Sequence, residues 1–176
     1  MTAPGDRAGV MRPPGPAGAF TLRDATPADV PAVCALVRAL AEYEGKLAKF
    51  TAGEADFYRV LFGPRPYAQA IVAEAQGRAV GVALYHTTIS TFTCSPGYFL
   101  EDIFVLPEMR GAGLGRALFA ELARRLAAEG GKQIDWRVLK WNAPSIAFYQ
   151  RLGAKGDPGE WDMMSLSGDA LARLTA

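Results

Sequence analysis

The sequence predicts an α/β domain built on a mixed sheet, and three observations carry that prediction. Runs of apolar and β-branched residues alternate with apolar stripes at helical spacing, in the order β-α-α-β-β-β-α-β-α-β. A glycine-rich segment, Arg110 to Gly115, joins a strongly apolar strand candidate to a well-striped helix. Half of the 176 residues are apolar, which is enough for one sizeable core.

Each element has a local reason. Phe20 to Arg23 is a short strand candidate. Thr26-Pro27-Ala28-Asp29 starts a helix, with a hydroxyl N-cap, proline at the first helical position and an acid near the positive end of the dipole. Val33, Leu36, Val37 and Leu40 continue it to about Tyr43. Thr51-Ala52-Gly53-Glu54 reads as a capping box opening a second helix toward Leu61 and Phe62, and Gly63 to Pro66 is a turn. Gln69 to Glu74 and Ala79 to Thr88 form a hairpin through Gln76-Gly77-Arg78. Thr91 to Gly97 is a loop, and Tyr98 to Val105 a buried strand. Leu114, Leu118, Leu122 and Leu126 stripe a helix that ends at Gly130-Gly131. Gln133 to Leu139 is a strand, Asn142 to Leu152 a helix capped by Asn142, Trp161 to Leu166 a last strand, and Asp169 to Leu174 a terminal helical turn.

Composition narrows the function. The formal net charge is +1, from 19 basic and 18 acidic residues, which argues against a dedicated nucleic-acid binder. No apolar run approaches 18 residues, so no membrane span is expected. Residues 1–19 are rich in Pro, Gly and Ala and are expected to form a disordered tail ahead of one domain, 20–176; they lack the apolar core of a signal peptide. Cys34 and Cys94 have neither metal nor disulfide spacing, and the expected location is cytoplasmic with both thiols reduced.

The segment Glu101 to Phe119 runs strand, glycine loop, helix. A helix N-terminus presents unpaired N–H groups and partial positive charge, and Gly111, Gly113 and Gly115 let the backbone approach an anion closely. Arg110 adds a charge-assisted donor. The loop is no nucleotide motif: Gly115 is followed by Arg116, not by the Lys-Ser or Lys-Thr of a P-loop, nor by the third glycine of a dinucleotide fold.

Arg110-x-x-Gly113-x-Gly115 after an apolar strand resembles the pyrophosphate loop of the GCN5-related N-acetyltransferases (GNAT). Trp141-Asn142-Ala143-Pro144-Ser145-Ile146-Ala147-Phe148-Tyr149, followed by Gly153-Ala154, resembles a second signature of that family. Within it, the similarity is to the diamine (spermidine/spermine and thialysine) N-acetyltransferases, through Arg23 to Thr26, Ala41 to Glu44, Leu100 to Val105, Arg110 to Gly115, and Glu160-Trp161. The resemblance implies a mixed, mostly antiparallel sheet flanked by helices, with a splayed pair of strands forming the acetyl-CoA cleft. It implies acetyl-CoA as co-substrate, no metal, and a homodimer paired through C-terminal strands, where Trp161, Met163 and Met164 supply apolar surface.

It also implies roles for residues. Backbone groups of Ile103 and Val105, with Phe104 between them, pair with the pantetheine arm. Arg110, Gly111, Ala112, Gly113, Leu114 and Gly115 hold the pyrophosphate, and Asn142, Ser145 and Tyr149 complete the cofactor-binding set. Read from the residues alone, Asn142 is equally a helix cap. The Ile103 N–H serves the developing oxyanion. Tyr149 stands at the family's general-acid position for the leaving thiolate, against the plain alternative of a core tyrosine.

The chemistry needs a neutral amine, and an alkyl amine with a pKa near ~10.4 arrives charged. Glu101 is the candidate proton acceptor, through a water, with Asp102 beside it; the alternative is that these acids only pair with basic residues. Strand neighbours point to opposite faces, so only one of the two is expected to look into the cleft. Cys94 has no basic partner in view and the sole histidine, His86, shows no pairing logic, so direct attack in a ternary complex is expected rather than an acyl-enzyme.

For the acceptor, Glu44 matches the subfamily's substrate-side acid, and Phe92 is placed against the substrate chain. The loop Ile89-Ser90-Thr91-Phe92 lacks the acid of the polyamine-specific members. A small diamine or lysine-like amine is therefore expected. A protein N-terminus or lysine is the alternative within the class, and a non-catalytic acyl-CoA-binding module the alternative outside it.

Overall fold

A computed structural model of the chain describes residues 20–156, 159 and 162–174. The segment read as a disordered tail, 1–19, lies outside them, as does Trp161. The chain forms two compact units, one through Arg137 and one from Val138.

The first unit is a five-stranded sheet with helices on both faces. Its strands are β1 (Phe20–Asp24), β2 (Gln69–Ala75), β3 (Arg78–Ser90), β4 (Ser95–Val105) and β5 (Ile134–Trp136), and its helices α1 (Val30–Tyr43), α2 (Glu54–Phe62) and α3 (Leu114–Ala128). The strands lie in sequence order; β1 to β4 pair antiparallel, while β4 and β5 run parallel. This is the mixed sheet expected from the element order, in the mostly antiparallel form that the family resemblance implies.

One face of the sheet packs on α1 and α2. Val82, Leu84 and Phe104 from the strands meet Val30, Val33, Leu36, Phe57 and Leu61 there. The other face packs on α3, whose Leu114, Leu118, Leu122 and Leu126 are all buried. Tyr85 and Tyr98 lie beneath α3, with ring centroids 4.7 Å apart. Their hydroxyls are satisfied: Tyr98 donates to Glu129 at 2.6 Å, and Tyr85 donates to Gln69 at 3.0 Å. Arg125 of α3 donates to Tyr85, to the buried Glu121 and to Asp24 of β1, and Arg124 also holds Glu121 at 2.7 Å. Those two guanidiniums, Arg124 first, draw the Glu121 carboxyl below its ordinary range despite burial.

Helix starts follow the local chemistry, with one correction. Asp29 accepts from the Thr26 amide at 2.7 Å and hydroxyl at 2.8 Å, and a single 3-10 turn, Pro27–Asp29, leads into α1. Helix α2 is capped differently from the Thr51/Glu54 box. Gly53 is its N-cap, and the Asp56 carboxylate accepts from the Gly53 amide at 3.1 Å. The helix register set by burying Phe57 and Leu61 decides this.

Three strand expectations are also corrected. The segment read as a loop, Thr91 to Gly97, is loop only in its first four residues: β3 and β4 stay paired out to Ser90↔Ser95, leaving a tight turn at 91–94. The strand expected over Gln133 to Leu139 is only Ile134–Trp136. Residues 162–166, expected to be strand, have no regular structure. The second unit holds α4 (Ala143–Arg151) and a short α5 (Gly168–Ala172). Asn142 caps α4, accepting from the Ser145 amide at 3.3 Å.

Candidate active site

The geometry of the site starts from an irregularity in β4. Leu84 of β3 pairs with Asp102, and the next residue, Tyr85, pairs with Leu100. Glu101 has no partner of its own on β3, which makes it the extra residue of a β-bulge. The bulge reverses the in-out alternation. Tyr98 and Leu100 face α3, whereas Asp102 and Phe104 share the α1/α2 face with Leu84 and Val82. Glu101 emerges on that second face too, where its Oε1 lies 3.2 Å from His86 Nε2. The expectation that strand geometry would split the two acids is therefore overturned: the extra residue puts both on one side.

Glu44, just after α1, joins them. Asp102 feels the negative charge of both Glu101 and Glu44, and its carboxyl is pushed up to about 6, first by burial and then by those two charges. Counter-charges flank the group. Arg137 Nη2 stands 3.7 Å from Glu101 Oε2, and Lys46 Nζ stands 3.7 Å from Glu44. Phe99 carries two of the flanking side chains, with the His86 ring stacked at 5.5 Å and the Arg137 guanidinium at 5.3 Å from its centroid.

Beyond the bulge, β4 loses its partner on one edge. Pairing with β5 ends at Leu100↔Trp136. The Leu106 amide donates to Val80 of β3 at 3.0 Å. Antiparallel alternation then turns the amides of Ile103 and Val105 away from β3, toward the edge where the β5 ladder has stopped. These are the two residues read as pairing with the pantetheine arm. The Val105 carbonyl is already taken, accepting from Arg110 Nε at 3.0 Å. The Arg110 guanidinium packs over Tyr43 at 5.1 Å and Phe104 at 5.5 Å, so it bridges the end of α1 and the start of the glycine loop.

The loop itself is shaped for close approach. Gly111 and Gly113 have φ of 81° and 83°, and nothing beyond the adjoining residues lies within 4 Å of a Cβ built on either. The space above the loop is open, and the backbone conformation is the one that favours glycine. Gly113 is the N-cap of α3, so Leu114 and Gly115 follow in the first turn, where a helix leaves its amides unpaired. This cradle fits the diphosphate of acetyl-CoA: it is open, glycine-lined and aimed along a helix of 15 residues. Among the described residues no cluster of His, Cys, Asp and Glu could hold a metal ion.

Other candidates stand elsewhere. Phe92 is 91% exposed at the tip of the β3–β4 hairpin. Six residue pairs separate that tip from the bulge, about 20 Å of strand, so the structure does not bring Phe92 to the carboxylates. Asn142, Ser145 and Tyr149 belong to the second unit, on or next to α4; the Tyr149 ring lies 5.4 Å from that of Phe148. Asn142 is buried, and Tyr149 is partly so. Cys94 is exposed and Cys34 partly buried, and both are free thiols. Sequence reasoning missed His86 and Arg137. The signal for His86 was its position two residues beyond Leu84 on the strand beside Glu101, but reading it required the bulge.

Comparison with known proteins gives a consistent picture. The family model described as Acetyltransferase (GNAT) family matches residues 33–154. A thialysine N-epsilon-acetyltransferase of Sus scrofa is 31% identical over 163 residues, covering 87% of this chain and 95% of that protein. An L-ornithine N5-acetyltransferase of Arabidopsis thaliana is 26% identical, covering 87% of this chain and 86% of that protein. Among solved structures, an integron cassette protein from the mobile metagenome of V. cholerae superposes with a TM-score of 0.74 at 21% identity, covering 89% of this chain and 97% of that one. A ribosomal-protein-alanine N-acetyltransferase from Brucella melitensis gives 0.66 at 18% identity, covering 84% of this chain and all of that one.

Proposed function

Because the chain belongs to the Acetyltransferase (GNAT) family and is an amine N-acetyltransferase, we propose that it moves an acetyl group from acetyl-CoA to a small primary amine of the diamine or lysine-like kind, by direct attack. The observation that carries this reading is the bulge that sets Glu101 and Asp102 side by side, with Glu44 close enough to act on Asp102. An ammonium entering there meets carboxylates and gives up its proton to Glu101 through a water. The similarity to a thialysine N-epsilon-acetyltransferase and an L-ornithine N5-acetyltransferase supports a short acceptor that reacts at a terminal side-chain amine.

The remaining roles belong to the same proposal. Gly111 to Gly115 and Arg110 hold the diphosphate, and Phe104 packs beneath Arg110. The Ile103 and Val105 backbones line the pantetheine arm, and the Ile103 N–H faces the developing oxyanion. Asn142 and Ser145 fix the start of α4, which carries Tyr149 as donor to the departing thiolate. We assign Phe92 no contact with the amine in this chain. The homodimer implied by resemblance has Met163 and Met164 exposed near the C-terminus and is checked by light scattering. A cytoplasmic location belongs to the same reading; among the described residues no helix is long and apolar enough to cross a membrane.

The test is release of CoA thiol from acetyl-CoA across lysine analogues, ornithine, putrescine, spermine and N-terminal peptides. Short amines should give the highest kcat/KM. Peptides winning by tenfold would transfer the reading to a protein acetyltransferase, and acetyl-CoA binding without thiol release would make the chain a binding module. In the same assay Tyr149→Phe should lower kcat by about 10² or more, with little change in KM for acetyl-CoA. A drop below about fivefold would make Tyr149 a packing residue.

A further inference from the structure

One titratable side chain at the bulge has no part in the reading above. His86 of β3 lies with Nε2 3.2 Å from Glu101 Oε1 and Nδ1 3.3 Å from the carbonyl oxygen of Thr87. Both ring nitrogens therefore face oxygen acceptors. A neutral imidazole has one N–H and satisfies one of them, whereas an imidazolium satisfies both. The pair thus has a hydrogen-bond place for one proton more than the neutral ring brings. The ring is held flat against Phe99, at 5.5 Å and 25°, so the alignment does not depend on Glu101 alone. The other charged groups at the site are Arg137, 3.7 Å from Glu101, then Asp102 beside Glu101, Glu44 acting on Asp102, and Lys46, 3.7 Å from Glu44. The His86 side chain is 35% exposed, which gives the pair an edge in contact with water.

We propose that His86 and Glu101 act as one proton-accepting pair, in which His86 positions the Glu101 carboxylate and takes up the proton that the substrate ammonium gives away. The inference rests on the acetyltransferase reading. The substrate R–NH3+ passes a proton by way of water to Glu101, and it comes to rest shared between Oε1 and Nε2. The pair goes from neutral imidazole with carboxylate to imidazolium with carboxylate. The freed nitrogen lone pair forms the N–C bond as the C–S bond breaks, the thiolate takes its proton from Tyr149, and the second proton on the new amide nitrogen passes through water to the Tyr149 phenolate, leaving neutral amide, free CoA thiol and the phenol restored. His86 then returns the extra proton to solvent at its exposed edge. Here His86 is a positioning residue, since it reaches the substrate only through Glu101.

The test compares wild type, His86→Phe and His86→Gln in kcat/KM for a lysine-like amine from pH 6.5 to 10.5. Phenylalanine keeps the stack on Phe99, and glutamine keeps a hydrogen bond to Glu101 but carries no proton. Both variants should lose about tenfold or more at pH 7. The deficit should shrink as pH approaches the amine's own pKa near ~10.4, where the substrate arrives neutral and needs no acceptor. KM for acetyl-CoA, and the thermal shift it produces, should stay at the wild-type value in both. His86→Gln within twofold of wild type at pH 7, or a deficit of the same size at every pH, overturns the proposal. If wild type itself turns over no amine, the acetyltransferase reading fails instead, so the two failures are distinct.

Discussion

Asp102→Asn should make the protein more stable near neutral pH, while it weakens binding of a cationic acceptor. The Asp102 carboxyl is pushed up from 3.8 to about 6, first by burial and then by Glu101 and Glu44. At ~1.36 kcal/mol per pH unit, this corresponds to about 3 kcal/mol of unfavourable ionisation in the folded chain. The folded chain holds this proton more tightly than the unfolded one. Between about pH 4 and pH 6 it therefore binds more protons, and stability from this group falls as pH rises through that window. Above it the full cost is present. Asparagine removes the charge but brings an amide that must be satisfied, so the net gain should be about 1–3 kcal/mol. Urea unfolding of both proteins at pH 4 and pH 8 measures it. The difference should be close to zero at pH 4 and should favour the variant at pH 8. A wild type more stable at pH 8, or a difference equal at both pH values, would refute the argument. The ammonium of a bound amine offsets the same repulsion, which is why the stabilised variant should bind it worse.

Gly113→Val should fold but lose the thermal stabilisation given by acetyl-CoA, because its φ of 83° suits glycine and its Cβ would project into the open space over the loop; an undiminished shift would move the diphosphate elsewhere. Gly131→Ala should cost about 1–3 kcal/mol in urea unfolding, since a Cβ there would overlap Leu126 Cδ1 and stand 2.6 Å from the Pro96 carbonyl oxygen. An unchanged unfolding midpoint would contradict that contact.

What could be read in advance was whatever depends on neighbours in sequence. The α1 and α3 stripes, the Gln76-Gly77 turn and the glycine loop are local patterns, and each appears close to where it was expected. What could not be read depends on register between strands. Glu101 and Asp102 look like ordinary alternating strand positions until the Leu84/Tyr85 pairing shows one residue too many. The partnership of His86 with Glu101 follows from that same register. The short β5 has the same origin in pairing, since its ladder with β4 stops at Leu100, the residue before the bulge. At Gly53 the rule was right but the frame was wrong: an acid three residues after the cap does accept its amide, but it is Asp56 and not Glu54. Phe92 misled for a related reason, because the hairpin carries it well beyond the bulge.

The clasp of Arg125 on Asp24, across 101 residues, bears on the entropy of closing the chain. Strands β2, β3 and β4 form a meander closed by two local turns, and the entropy of closing such loops is small. The meeting of strand β1 and helix α3, where Arg125 gathers Asp24, Tyr85 and Glu121 together, closes a much longer loop and costs more closure entropy. The helix that presents the glycine loop is thus held in place by contacts that span much of the sequence. A ligand that grips this loop therefore stabilises the loop and these long-range contacts together, by mass action on the folded chain.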